Sequence, residues 1–230
     1  MSDLINKDRP YHESSEKIMG DFLDENFYNC LENCTYERIT DKNLQVQGVD
    51  VKLTIDGKEF LIDEKCSIMW RNLKTFSFEL STYNKNRTQI LVGWFLNDSL
   101  LTTHYLLIWV DETDVDENNS GKPFKTENKI KNINSFKKVT VALVAKDKIK
   151  EYSNSIGWTT ENLLKKDHKI RYEGDKNFGN LYKNRCKFAH IKGNPKMPEE
   201  PVNYLLPRRK LIELADITKN IIIENESDIS

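Results

Sequence analysis

The dipeptide Asp56-Gly57 separates two runs that alternate apolar and polar residues, and it constrains the fold more than any other feature of the chain. A type I′ turn needs positive φ at both central positions, so Asp-Gly in this setting predicts a two-residue β-hairpin. Residues equidistant from the turn face each other across a hairpin, which places Asp50 directly opposite Asp63. Lys65 lies two residues beyond Asp63 and therefore points to the same face.

The predicted register brings like charges together on one face of the hairpin. Two carboxylates directly opposite each other destabilise a sheet, and Asp is depleted in strands. A divalent cation between them removes the repulsion, and hard oxygen ligands of this kind suit Mg²⁺ or the similar Mn²⁺. A lysine beside the metal can position or activate a water molecule. These groups together suit the hydrolysis of a phosphodiester.

The pattern of Asp50 followed by Asp63-Glu64-Lys65 resembles the PD-(D/E)xK nuclease superfamily, which includes restriction endonucleases, Holliday-junction resolvases and phage nucleases. The resemblance covers mainly residues 13–81, and Val49 stands where many members have a proline. It implies an α/β, restriction-endonuclease-like fold, with a mixed central β-sheet flanked by helices. It also implies a Mg²⁺-dependent DNA endonuclease, restriction-like or mobile-element-associated. Asp50 and Asp63 would bind the metal, and Lys65 would assist the attacking water.

Two further acids are candidates for the same site. Glu16 lies on the apolar stripe of a helix predicted over residues 14–34, and related nucleases often take an additional metal ligand from such a helix. A glutamate favoured by the helix dipole is the alternative for Glu16, and Glu13 is a weaker candidate. Glu79 lies on the polar face of a strand predicted over 75–81. If that strand neighbours 59–66, Glu79 either faces the metal or orients Lys65; otherwise it is a simple edge-strand residue.

Two alternatives compete with the nuclease interpretation. The hairpin can be an ordinary amphipathic one, because its apolar residues form a good stripe on the opposite face. The domain can also be a non-catalytic module that binds nucleic acid or a protein on a nuclease-like fold. An intact set of Asp50, Asp63 and Lys65 favours catalysis, since a binding module has no need of opposed carboxylates.

Length and composition predict one soluble cytoplasmic domain over residues 1–230. The net charge is −1, but basic residues are in excess over 165–192 and acidic residues over 1–41. A local basic surface is compatible with a DNA partner. The four cysteines form no disulfide framework or zinc pattern, and no apolar run is long enough to span a bilayer. Cleavage of both DNA strands would favour a homodimer.

The remaining segments complete a mixed helix and strand pattern. Residues 1–12 are expected to be a flexible lead, 111–135 a long loop and 224–230 an acidic tail. Helices are predicted over 146–154, from Thr159 or Thr160, and from Pro207. Strands are predicted at 35–40, 47–54, 59–66, 75–81, 89–95, 102–110 and 137–145.

Overall fold

A computed structural model describes residues 9–66, 68, 70–84, 86–114, 124–125, 130, 132–173, 186–193 and 198–223, with the backbone alone at 9–15 and 124–125. The described residues form a mixed α/β structure. The helices are α1 (Arg9–Asn26), α2 (Lys42–Val46), α3 (Lys146–Ser155), α4 (Thr160–Tyr172) and α5 (Arg208–Leu214), with 3₁₀ turns at Tyr28–Cys30 and Ile133–Ser135. The strands are β1 (Cys34–Arg38), β2 (Val51–Ile55), β3 (Lys58–Cys66), β4 (Trp70–Arg71), β5 (Thr75–Tyr83), β6 (Ile90–Val92), β7 (His104–Thr113), β8 (Phe124–Lys125), β9 (Phe136–Ala145), β10 (Lys187–His190), β11 (Val202–Pro207) and β12 (Ile217–Ile222).

The central sheet has six strands in the order β1-β2-β3-β7-β9-β12. Strands β3 and β7 run parallel, and the other neighbours are antiparallel, so the sheet is mixed as predicted. The middle strands β7 and β9 contain nearly continuous apolar runs, and their residues are buried on both faces. Strand β3 lies beside β7 and carries the Asp63-Glu64-Lys65 sequence into the middle of the sheet.

Each face of the central sheet covers a separate hydrophobic core. Helix α1 packs Met19, Phe22 and Leu23 against one face. The other face packs against a second sheet of order β10-β11-β5-β6, together with apolar residues of α3, α4 and α5. The second face is therefore covered by strands as well as by the expected helices. Because strand residues alternate between faces, consecutive residues of β3 enter different surroundings.

The hairpin is confirmed in both its turn and its register. Asp56 has φ 49° and Gly57 has φ 80°, as a type I′ turn requires. Strand pairing runs from Ile55 opposite Lys58 to Val51 opposite Ile62, so Asp50 comes next, opposite Asp63. The strand predicted over 47–54 starts later than expected, because residues 42–46 form α2.

Other boundaries differ from the sequence predictions. Helix α1 begins at Arg9, so residues 9–12 of the expected flexible lead are helical, and the helix predicted to reach residue 34 ends at Asn26. Strand β5 belongs to the second sheet, and β7 takes the place beside β3. The expected loop 111–135 contains the end of β7, the short strand β8 and a 3₁₀ turn. Residues 1–8, 174–185 and the acidic tail 224–230 lie outside the described residues.

Candidate active site

The carboxyl groups of Asp50 and Asp63 meet at the open end of the hairpin. The backbone N–H of Asp50 donates to the Ile62 carbonyl at 2.8 Å, which continues the strand pairing. The Oδ2 atom of Asp50 accepts a hydrogen bond from the Glu64 N–H, also at 2.8 Å. The Nζ atom of Lys65 lies 2.7 Å from Oδ1 of Asp63, whose side chain is only 4% exposed. Hairpin geometry therefore assembles these three groups from one short stretch of chain.

The electrostatic state of Asp63 is unusual for an aspartate. Burial raises its pKa from 3.8 to about 7, and the attraction of Lys65 opposes that rise. Asp50 raises the pKa of Asp63 further, through its charge and through a hydrogen bond between the two carboxyl groups. Close carboxylates cannot both ionise at low cost, so a proton or another cation must be shared between them.

Glu64 points to the opposite face of the sheet, although it lies between Asp63 and Lys65 in the sequence. Its carboxylate accepts hydrogen bonds from the Tyr28 hydroxyl at 2.8 Å and from Arg38 Nη1 at 3.0 Å. Arg38 also donates from Nε to both carboxylate oxygens of Asp24 in α1, at 2.8 Å each. This network ties α1 to β3, so Glu64 is occupied in holding the fold together.

Lys65 is held from a second direction by residues of the 93–102 loop, which connects β6 to β7. The ammonium lies 5.0 Å from the centre of the Trp94 ring, a cation–π contact. The backbone N–H of Trp94 and the charge of Lys65 both lower the pKa of the Glu79 carboxylate. Burial raises the pKa of Glu79, and these two groups oppose the rise. Glu79 therefore reaches the surroundings of Lys65 from the second sheet, although β5 does not pair with β3.

The 93–102 loop also contacts the short segment between α2 and Asp50. The Leu101 N–H donates to the Gln47 carbonyl at 3.0 Å, and the Thr102 hydroxyl donates to the Gly48 carbonyl at 2.6 Å. Gly48 has φ +76°, and a Cβ built there would lie 2.4 Å from the Thr102 hydroxyl and 3.7 Å from Oδ2 of Asp63. Only glycine fits this close approach without strain.

Sequence reasoning missed two residues beside Asp63. Tyr105 is paired with Asp63 across the parallel β3–β7 ladder, and its ring packs on Trp94 at 5.1 Å between centroids. Its buried hydroxyl has no hydrogen-bond partner among the residues that the structure describes. Lys146, the first residue of α3, is 6% exposed, and the charge of Asp63 acts on its ammonium. Tyr105 lies within the apolar strand β7 and Lys146 directly follows β9, and no local pattern in the sequence connects either residue to the hairpin.

The candidate residues divide into those that come together and one that does not. Asp50, Asp63 and Lys65 are in contact, and Glu79 lies within electrostatic reach of Lys65. Glu16 is exposed on α1, whose apolar residues pack on the face of the sheet opposite Asp63. Glu13 lies at 9–15, where only the backbone is described.

The chemistry of the Asp50–Asp63 pair fits a hard divalent cation. Mg²⁺ usually takes one or two protein carboxylates and keeps several waters. Within the described part of the chain, no three His, Cys, Asp or Glu side chains are arranged to hold a metal together. Two carboxylates are therefore the protein ligands that this arrangement offers.

Comparison with known proteins adds no relationship to this picture. No protein-family model matches the chain, and no curated protein or solved structure matches it either. Among the described residues, no helix is long and apolar enough to cross a membrane.

Proposed function

We propose that this protein is a metal-dependent endonuclease of the PD-(D/E)xK type, with a restriction-endonuclease-like fold, which hydrolyses phosphodiester bonds of DNA. The observation that carries the proposal is the hairpin register, which sets Asp50 against Asp63 and places Lys65 Nζ 2.7 Å from Asp63. Opposing two carboxylates and burying that of Asp63 costs stability. A cation-binding role gives a reason for that cost.

Asp50 and Asp63 would hold Mg²⁺ or Mn²⁺, which lowers the pKa of a bound water and offsets the charge of a phosphate. The Glu64 N–H fixes the orientation of the Asp50 carboxylate through its 2.8 Å hydrogen bond. Lys65 keeps its ammonium between Asp63 and the Trp94 ring, where it can donate a hydrogen bond to a water or a phosphate oxygen. Glu79 would orient Lys65 through its charge, which acts on the same ammonium that lies over the Trp94 ring.

The substrate class rests on the resemblance of the motif together with the distribution of charge. DNA is the usual substrate of enzymes with this motif, and the basic excess over residues 165–192 suits a polyanion. A restriction-like or mobile-element-associated role, and a homodimer for cleavage of both strands, belong to the same proposal.

Cleavage of plasmid, linear and branched DNA by the purified protein tests the proposal. We expect cleavage in Mg²⁺ or Mn²⁺ that EDTA abolishes and that Asp63→Asn and Asp50→Asn lose. Asp21→Asn is the matched control, because Asp21 is exposed and pairs with Lys17 on α1, which packs on the face of the sheet opposite Asp63. Cleavage that survives in Asp63→Asn would contradict the proposed role of the carboxylates.

A non-catalytic module on the same fold is the second candidate, and the burial of Asp63 favours it. The Asp63 carboxylate is already paired with Lys65 and has only 4% of its side chain exposed. A protein of this kind would bind DNA or a protein with neither cleavage nor stabilisation by Mg²⁺. A metal-dependent rise in melting temperature distinguishes the two, since a cation that binds only the folded state stabilises it by mass action.

A further inference from the structure

A second lysine lies beside the candidate site, on the side opposite Lys65. Lys146 follows β9 directly, and its backbone N–H donates to the Thr103 carbonyl at 2.9 Å, at the start of β7. The β7–β9 register places Val144 opposite Tyr105, and Tyr105 is in turn the neighbour of Asp63. The pairing of β3, β7 and β9 therefore places Lys146 near the candidate site.

The Lys146 ammonium is buried beside acidic groups. The residue is 6% exposed, and burial lowers its pKa. The charge of Lys150 lowers the pKa further, whereas the charges of Asp98, Asp147 and Asp63 oppose the shift. The charges of Asp63 and Asp98 also act on the hydroxyl of Tyr105. Tyr105 is the strand neighbour of Asp63, and Lys146 lies two residues beyond Val144, the strand neighbour of Tyr105.

Both groups have hydrogen-bonding capacity that the described structure does not use. An ammonium has three donors, and the one hydrogen bond that Lys146 Nζ makes to the described residues goes to the Asn97 carbonyl at 3.0 Å. The Tyr105 hydroxyl is buried and has no hydrogen-bond partner in the described part of the chain. Buried donors are normally satisfied, so unused donors beside a carboxylate pair call for a ligand with acceptor oxygens.

We propose that Lys146 is a second cationic residue of the active site, which donates a hydrogen bond to a non-bridging phosphate oxygen of the scissile nucleic-acid phosphodiester. This inference rests on the proposed nuclease function and adds a substrate contact to it. A cation aimed at the oxygen where negative charge develops stabilises the transition state more than the ground state. Lys65 and Lys146 then approach the reacting group from opposite sides of Asp63.

The test compares Lys146→Gln with Lys150→Met in the full-length protein. Glutamine keeps a donor for the Asn97 carbonyl and removes the charge of Lys146. Lys150→Met is the control, because Lys150 lies one turn further along α3 and pairs with the exposed Asp98. We expect kcat for DNA cleavage to fall about 100-fold in Lys146→Gln, as for loss of one oxyanion donor, and to be retained in Lys150→Met. Lys146→Met removes the charge in the same way if the glutamine variant does not fold.

Mg²⁺ binding, measured as the shift in melting temperature, separates a substrate contact from a structural role. Removing a positive charge near Asp63 should leave the Mg²⁺ affinity unchanged or strengthen it, while cleavage falls. A parallel loss of Mg²⁺ binding and cleavage would show that Lys146 only supports the fold, and would overturn the inference. If the wild type cleaves DNA and Asp63→Asn does not, an unchanged kcat in Lys146→Gln would overturn this inference and leave the proposed function standing. A wild type without cleavage or Mg²⁺ response would overturn the proposed function and the inference with it.

Discussion

Replacing Asp63 with asparagine should make the protein more stable, although it removes a residue that we place in the active site. Burial raises the pKa of Asp63 from 3.8 to about 7, so the folded protein keeps a proton that the unfolded chain releases above pH 4. By linkage, the free energy of unfolding must then fall as pH rises from about 4 to about 7, and level off above that. Asparagine has no charge to bury, so the variant should lack this dependence.

The size of the effect follows from the same pKa values. Each pKa unit corresponds to about 1.4 kcal/mol, so ionising Asp63 in the folded protein costs at most about 4 kcal/mol at pH 8. The attraction of Lys65 is already contained in this pKa, so the offset comes from the hydrogen bonds of the carboxyl group that the asparagine amide replaces less well, at about 1 kcal/mol each. Asparagine must also remain hydrogen-bonded next to Asp50. We therefore expect Asp63→Asn to raise the free energy of unfolding by about 1–3 kcal/mol at pH 8.

Urea unfolding at pH 5, 6, 7 and 8 in EDTA buffer measures this difference directly. Most of the gain should disappear by pH 5, where the wild-type carboxyl holds its proton. Asp98→Asn is the control: hydrogen bonding to Lys150 lowers the pKa of Asp98, so no gain at high pH is expected there. A variant that is less stable than wild type at pH 8, or a gain that does not change with pH, would refute the reasoning.

Three further predictions concern the glycine beside the site, the network behind it and metal binding. Gly48→Ala should destabilise the protein by at least about 1 kcal/mol more than Gly57→Ala. Both glycines have positive φ, but only a Cβ at Gly48 meets another atom, the Thr102 hydroxyl at 2.4 Å. Equal urea midpoints for the two variants would contradict this. Arg38→Lys should lower the free energy of unfolding, measured in urea, by about 3 kcal/mol. Lysine cannot satisfy the carboxylates of both Asp24 and Glu64, so it leaves Glu64 buried with a weaker partner. A cost below about 1 kcal/mol would argue against the network. Mg²⁺ affinity should increase with pH up to about pH 7, because Asp63 must lose its proton to bind a cation. Isothermal titration at pH 6, in buffers of different ionisation enthalpy, should detect the proton that is released on binding.

The hairpin was predictable because its information is local. Asp56-Gly57 sets the turn, the turn sets the register, and the register places Asp50 opposite Asp63. Boundaries near the hairpin were less predictable, since Gly48 is needed for a close approach to a loop that is distant in the sequence.

The remaining surroundings of the site depend on tertiary packing. Trp94 contacts Lys65, and the charge of Asp63 acts on Lys146, although both residues belong to other elements. The sequence around Trp94 and around Lys146 does not indicate these interactions. The position of Glu79 is a related case. The sequence made its role depend on a place for β5 beside β3. The strand lies in the second sheet, but the charge of Lys65 still acts on the Glu79 carboxylate because that sheet packs on the central one. Helix α1 packs on the opposite face, which leaves Glu16 exposed.

Binding of Mn²⁺ to the purified protein at pH 8, followed by isothermal titration, tests the central claim most directly. We predict saturable binding to the wild type and to the control Asp21→Asn, and its loss in both Asp50→Asn and Asp63→Asn. Each asparagine variant should remain folded, as judged by its urea midpoint. Undiminished binding in both asparagine variants, or no binding to the wild type, would contradict the claim that the opposed carboxylates form a metal site.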